Sequence, residues 1–258
     1  MSRTPTDRHE ALDALRGVAM VWMTLFHFCY DLNHFGWIRQ QMLTDPFWTV
    51  QRTLIVSLFL FCAGCGQAVA MQQAGSAALT PRFWRRWAQV AGAALLVSAG
   101  SWLMFPDSYI HFGVLHGVAV MLLLLRQLAG LTNLWLLALG ALCVGIPWAM
   151  PALHAAWPQG LGLLNGRAFN WLGLVAVKPV TQDYVPVLPW LGVMVGGLVV
   201  GRWVQTHHPR AWSRSWLPHR LQSGLALLGR WSLSYYLLHQ PVLMGLLMGL
   251  GLLLRPAG

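Results

Sequence analysis

Charge of either sign is what this chain has least of. It carries seven acidic residues, of which Glu10 is the only glutamate, and Lys178 is its only lysine. Charged residues fill 9% of the 258 positions, against about a quarter in a soluble domain. No stretch is long and polar enough to form a separate soluble domain. The scarcity also narrows the chemistry, because acid–base work falls to histidines and aspartates. No Walker loop, dinucleotide fingerprint, zinc ligand set or nucleophile elbow is present. The four cysteines all lie in apolar runs. Cys62 and Cys65 have CxxC spacing, but inside a membrane helix they read as small packing residues rather than a redox or metal pair. There is no internal repeat and no low-complexity tract.

What the chain has instead is apolar length. Hydrophobic residues make up 57% and tryptophans number 15, as suits aromatic anchoring at lipid–water interfaces. The net charge of +10 does not mark a nucleic-acid binder. The basic residues are spread between apolar runs rather than clustered on a soluble module. They report membrane topology and contact with anionic headgroups.

Seven segments read as spans: 13–33, 52–71, 84–104, 112–126, 132–150, 187–204 and 231–254. Several approach the ~20 residues needed to cross the hydrocarbon core, and the fourth is short. Segment 161–177 is apolar but broken by Asn165, Arg167 and Asn170, which leaves it between a re-entrant piece and an eighth span. Segment 221–229 is expected along the surface before the last span. The polar N-terminus, 1–10, lacks the pattern of a cleavable signal peptide, so the first run is expected to remain as the first span.

With the N-terminus inside, seven spans place 12 of the 17 Lys and Arg on the inner side. The positive-inside rule therefore favours a cytoplasmic N-terminus and an outer C-terminus. The expected fold is all-α: a polytopic integral membrane helix bundle of about seven spans, six to eight, forming a single domain over 1–258. The largest outer loop, 151–186, is a candidate lid or acceptor-binding loop.

The first span carries the sharpest signal. Asp13, Arg16, Met20, Thr24, His27, Asp31 and His34 recur at three- and four-residue steps and share one helical face. Ionisable groups within a span are expensive and tend to be functional. Arg16 and His27 are 11 residues apart, roughly 16 Å along a helix. An inner Arg16 therefore puts His27 near mid-membrane, with His34 approaching the outer interface. His27 and Asp31, four apart, are spaced for contact. A carboxylate beside an imidazole suits a general base. His34 is placed to share Asp31. Asp13 and Arg16 read as a helix-start pair, with Arg16 either structural or facing a ligand phosphate.

Other polar positions are second-tier candidates. His116 stands between Gly113 and Gly117, which allow close helix approach. Asp183 precedes Pro186, Pro189 and Trp190 at the outer entry to the sixth span. It is suited to an amine or hydroxyl, to orienting a histidine, or to capping a helix. Arg230 opens the last span on the inner side, and His239 lies deeper, before Pro241, which is expected to kink the helix.

Several strings together resemble the heparan-alpha-glucosaminide N-acetyltransferase catalytic-domain family. They are Leu12-Asp13-Ala14-Leu15-Arg16-Gly17 with His27 and Asp31, and Ser57-Leu58-Phe59-Leu60-Phe61-Cys62-Ala63-Gly64. Phe112-Gly113-Val114-Leu115-His116 and Asp183-Tyr184-Val185-Pro186-Val187-Leu188-Pro189-Trp190 follow. Gly229-Arg230-Trp231-Ser232-Leu233 with His239-Gln240-Pro241 closes the set. The similarity spans nearly the whole chain in order and spacing. The Asp183–Trp190 string is its most specific element. The opening and closing motifs are shared more loosely with type-3 membrane acyltransferases.

The resemblance implies a membrane acyltransferase that takes acetyl from acetyl-CoA, as co-substrate, to an amine or hydroxyl of a glycan on the far side. No metal is expected. In these terms His27, Asp31 and His34 are the catalytic candidates. Arg16, Arg230 and His239, with Arg85 and Arg86, are the CoA-side candidates. His116, Asp183 and Trp190 are the acceptor-side candidates. The eukaryotic member has a histidine nearest to His34, whereas type-3 enzymes have one at the position of His27, so the base is open between the two. Expected partners are acetyl-CoA, a sugar or glycan acceptor and membrane lipid, without nucleic acid; the oligomeric state is open between monomer and homodimer. The expected location is a bacterial cytoplasmic (inner) membrane. The rival class is a lipid-linked-sugar transporter or flippase using the stripe as a proton relay, disfavoured by the lack of paired broken helices. A structural envelope protein is a third class.

Overall fold

The computed structural model describes residues 9–75 and 78–254. Arg3, Arg8 and Arg255, used above in counting charges, lie outside them. Nine α-helices form the described chain, in the order α1 Glu10–His34, α2 Pro46–Ala74, α3 Pro81–Met104, α4 Val114–Leu128, α5 Asn133–Ala156, α6 Pro158–Leu161, α7 Val187–His207, α8 His219–Arg230 and α9 Ser232–Leu254. Six of them, α1, α2, α3, α5, α7 and α9, are long and apolar enough to cross a membrane. The seventh expected span is α4, apolar but only 15 residues, or ~22 Å of helix. The fold is thus an all-α polytopic membrane bundle. Large apolar side chains remain exposed, such as Leu103 on α3 and Trp148 on α5, 77% and 85% accessible. In water such surfaces would be costly; in lipid they are the solvated face.

Segment 161–177 is not a span. It folds as two short 3₁₀ turns, Gly162–Asn165 and Asn170–Leu172. Its asparagines explain why. Asn165 Oδ1 accepts from the backbone of Ala176 at 2.8 Å, and Asn170, 1% exposed, is bonded by both Tyr184 and His111. Side chains that satisfy irregular backbone in this way compete with helix. Gly173 closes the second turn at φ 88°, and a Cβ there would collide with the Leu188 carbonyl.

The chain divides into two compact units, 1–59 with 209–258, and 60–208. In the first, α1 packs along α8 and α9. Ala19, Met20, Met23 and Ile55 form its core, with Trp22, Tyr235 and Tyr236 against it. Two glycines let α1 and α8 touch backbone to backbone. A Cβ on Gly17 would meet the Leu225 carbonyl, and one on Gly229 would meet the Asp13 carbonyl. The 221–229 segment therefore belongs to α8 and is clamped to the first span. Glu10 accepts a bond from Ser223 at the same contact, 3.1 Å.

In the second unit, α7 packs against α5 and α4, and α4 against α3. Cys65 comes up against Gly201 of α7, and Cys62 and Cys65 are fully buried. Among the described residues no group of three His, Cys, Asp or Glu gathers as metal ligands would. Thr80 caps α3 by accepting from the Phe83 amide at 3.3 Å, with Pro81 at the first helical position, the usual N-terminal chemistry. α7 starts less regularly. Leu188, ahead of Pro189, is extended at φ −100°, ψ 130°, because a following proline disfavours the helical basin.

The α4 N-terminus is capped from a distant part of the chain. Asp183 Oδ2 accepts from the Val114 amide at 2.7 Å, and His116 Nδ1 from the Gly113 amide at 3.3 Å. Of the roles open to Asp183, capping is the one seen, and the helix is α4: an isolated parallel bridge of Tyr184 to Phe112, with the Val185 amide donating to the Phe112 carbonyl, carries it there. Gly113 and Gly117 likewise make room for Asp183 and the Val185 carbonyl, not for a neighbouring helix.

Two thermal-melt comparisons in detergent check these contacts. Gly17→Ala should lower stability by about 1–3 kcal/mol through overpacking. Gly224→Ala, on the open side of α8, should raise it by about 1 kcal/mol. Asp183→Ala should cost about 1 kcal/mol as a lost cap, and Asp183→Asn, which keeps an acceptor oxygen, less.

Candidate active site

The polar stripe of α1 faces α9. Three contacts, each about one turn further along α1, join the two helices. Thr24 Oγ1 donates to the Met20 carbonyl at 2.8 Å, so its one hydrogen is spent. Tyr235 must then be the donor in the 2.6 Å hydroxyl pair Tyr235–Thr24. One turn on, the rings of His27 and His239 meet edge to face with centroids 5.1 Å apart. A further turn on, Gln240 Nε2 donates to Asp31 Oδ1 at 2.7 Å. Asp31 is 1% and His239 8% exposed.

The expected His27–Asp31 pair is not what holds the carboxylate. Spacing four apart permits the contact, but Gln240 has taken Asp31 Oδ1. His27 is turned toward His239 instead. His34, which acts electrostatically on Asp31, sits at the helix end, exposed, with its ring against Phe35 at 5.4 Å. Of the two candidate bases, His27 packs against α9 and His34 is exposed at the helix end.

Four buried side-chain atoms of this seam have no hydrogen-bond partner: His27 Nδ1, Asp31 Oδ2, His239 Nε2 and Gln240 Oε1. A native structure rarely leaves one such atom unsatisfied, because each costs about 1–3 kcal/mol. Three further such atoms, on His9, Gln205 and Trp212, lie elsewhere, whereas these four share one patch.

The end of α1 near Asp13 holds two of the residues expected on the CoA side. Arg16 Nη1 bonds Asp13 Oδ1 at 3.0 Å, as a helix-start pair. Arg230 Nε bonds the Ala226 carbonyl at 3.1 Å and remains exposed. The Gly229–Asp13 contact brings Arg230 to the stretch of α1 that carries Arg16. His239 is not with them. It lies two and a half turns further along α9, beside His27. In the other unit Arg85 and Arg86, with Arg82 and Gln89, line a shallow basic pocket at the start of α3.

The acceptor-side candidates lie in the unit 60–208. His116 and Asp183 share the cap of α4, and His116 Nε2 also meets Ser98 Oγ at 3.1 Å. Trp190 is half-buried in the first turns of α7. Beside them Tyr184 donates to the Asn170 carbonyl at 2.6 Å. Burial pushes the Tyr184 hydroxyl up to about 12, so it stays a donor at any physiological pH. Arg167 stacks over Tyr109, 5.5 Å from the ring centroid. The segment between α5 and α7 is thus built on its asparagines, with tyrosines and histidines bonded to them.

Sequence reasoning missed Gln240 and undervalued Tyr235. Both carried a signal. An amide in an apolar span is costly for the same reason as a charge, and Tyr235 and His239 stand four apart on one face of α9.

The description "Heparan-alpha-glucosaminide N-acetyltransferase, catalytic" belongs to the family profile that matches residues 8–241. No curated protein and no solved structure matches the chain. The match covers both seam helices as far as Pro241, all of α2 to α8, and every candidate residue named above. The chain belongs to the heparan-alpha-glucosaminide N-acetyltransferase catalytic family.

Proposed function

We propose that this protein moves an acetyl group from acetyl-CoA to an amine or hydroxyl of an envelope or extracytoplasmic sugar, in a bacterial cytoplasmic membrane. The observation that carries the reading is the set of four unsatisfied polar atoms on His27, Asp31, His239 and Gln240, buried within the α1–α9 seam. Acyl transfer needs such a place. The acceptor must lose a proton as its lone pair attacks the thioester carbonyl, and an imidazole is the side chain suited to that near neutral pH.

The donor approaches from the cytoplasmic side, where Arg16 and Arg230 lie close on adjoining helices. Guanidinium groups suit the phosphates of CoA. The ~16 Å of helix between Arg16 and His27 is spanned by the pantetheine arm. The acceptor's oxygen or nitrogen bonds to the acetyl carbon as the carbon–sulfur bond breaks. The acceptor's proton passes through the imidazoles of the seam to the departing thiolate, leaving acetylated sugar and free CoA. His27, not His34, is the first-span histidine that meets the reacting groups, because it is the one turned into the seam.

Purified protein supplied with labelled acetyl-CoA and a panel of amino sugars and envelope glycans tests this. His27→Ala should lose about a hundredfold or more in kcat, and His34→Ala should stay near the parent. Loss in His34→Ala alone moves the first-span role to His34. Undiminished turnover in both variants removes the first-span histidines from the mechanism.

A further inference from the structure

We propose that His239 is a second catalytic residue of this site, the imidazole that takes the proton from the acceptor. The inference rests on the acetyl-transfer reading of the α1–α9 seam and assigns one of its steps. His239 was first grouped with the CoA-side arginines; the geometry puts it at the reacting end.

The argument is one of tautomers. His239 Nδ1 lies 2.7 Å from the Tyr236 carbonyl oxygen. A carbonyl only accepts, so Nδ1 carries the hydrogen. In the neutral ring Nε2 then holds a lone pair. That atom is buried and has no partner. The ring is held on both sides: Tyr235 stacks on it with planes 9° apart, and His27 meets it edge to face. His239 is therefore an oriented, buried proton acceptor with its tautomer set by its own helix, as a general base requires. Nothing comparable sets the tautomer of His27, whose Nδ1 has no partner.

The other unsatisfied atoms agree. Gln240 donates through Nε2 to Asp31, so its Oε1 is an acceptor, as is Asp31 Oδ2 when ionised. The seam thus offers acceptor atoms to a ligand that brings hydrogens. In the step proposed, an N–H or O–H of the acceptor bonds to His239 Nε2. As the new bond to the acetyl carbon forms, that hydrogen passes to Nε2 as a proton. The carbon–sulfur bond breaks, and the thiolate takes the same proton back. His239 ends as it began, and no other reactant is needed. His27, 5.1 Å away between centroids, holds the acceptor in line.

The test compares variants in the full-length protein with acetyl-CoA and the acceptor found active with the parent. His239→Asn keeps a donor for the Tyr236 carbonyl but removes Nε2. It should lower kcat about a hundredfold with little change in the KM for acetyl-CoA. Its kcat should climb with pH where the parent is level, as hydroxide takes over proton removal. The groups around His239 that titrate are His27 and, through Gln240, Asp31 on α1, with Tyr235 and Tyr236 on α9. All of them remain in the variant, so a climb confined to it reports the missing ring. His239→Gln serves the same comparison if the asparagine variant does not fold. Parental kcat in the folded variant, a rise in acetyl-CoA KM alone, or a loss of kcat with the parent's pH dependence overturns the role of His239 while acetyl transfer stands. A parent with no transfer to any acceptor overturns the reading beneath it.

Discussion

A single amide-to-carboxylate bond, Gln240 to Asp31, organises the unit formed by 1–59 and 209–258. Asp31 is almost fully buried in a helix whose other faces are made for lipid. A carboxylate there must be met by another polar group or be pushed out to water. The last helix meets it, and doing so fixes the register of α9 on α1. With that register set, Tyr235 falls opposite Thr24 and His239 opposite His27. The glycine contacts of α8 on α1 serve the same arrangement. They bring Arg230 alongside the Asp13–Gly17 turn of α1.

The same rule, that polar groups in an apolar surround must find partners, has opposite results in the two units. In 60–208 it is satisfied almost completely. Asp183 and His116 cap α4, Asn165 and Asn170 hold the outer turns, and Tyr184 closes on Asn170. Those residues stiffen the outer segment, and their hydrogen bonds are occupied. In the α1–α9 seam the rule is left half satisfied, with one atom of each polar side chain engaged or oriented and another bare. A proton acceptor needs a lone pair that no hydrogen bond occupies, and a cap does not. His239 Nε2 has no partner, whereas both ring nitrogens of His116 are bonded.

Much of the fold was legible before any coordinates. The apolar runs, the anchoring tryptophans and the paucity of charge led to a membrane helix bundle, and the runs lie where six long helices and α4 lie. The broken segment 161–177 was ambiguous because hydropathy does not see where asparagine side chains turn. Asn165 bonds the Ala176 backbone and Asn170 meets His111 and Tyr184, and the segment makes turns in place of a span. Asp183 as a cap was legible in kind but not in target. A cap depends on which helix end is near, and a pairing of Val185 with Phe112, 73 residues apart in the chain, decided it.

The candidate site divides the same way. Helical periodicity alone placed Asp13, Arg16, His27 and Asp31 on one stripe, since a rise and a turn per residue are properties of the backbone and not of the surroundings. The amino-acid sequence by itself also determined the family, through motifs spread along the chain. Only the tertiary structure decided which groups that stripe meets. Spacing suggested that Asp31 serves His27; the packed helices give Asp31 to Gln240 and His27 to His239. A side chain four residues away is always within reach. Whether it is chosen depends on what a second helix, more than 200 positions later, offers at the same height.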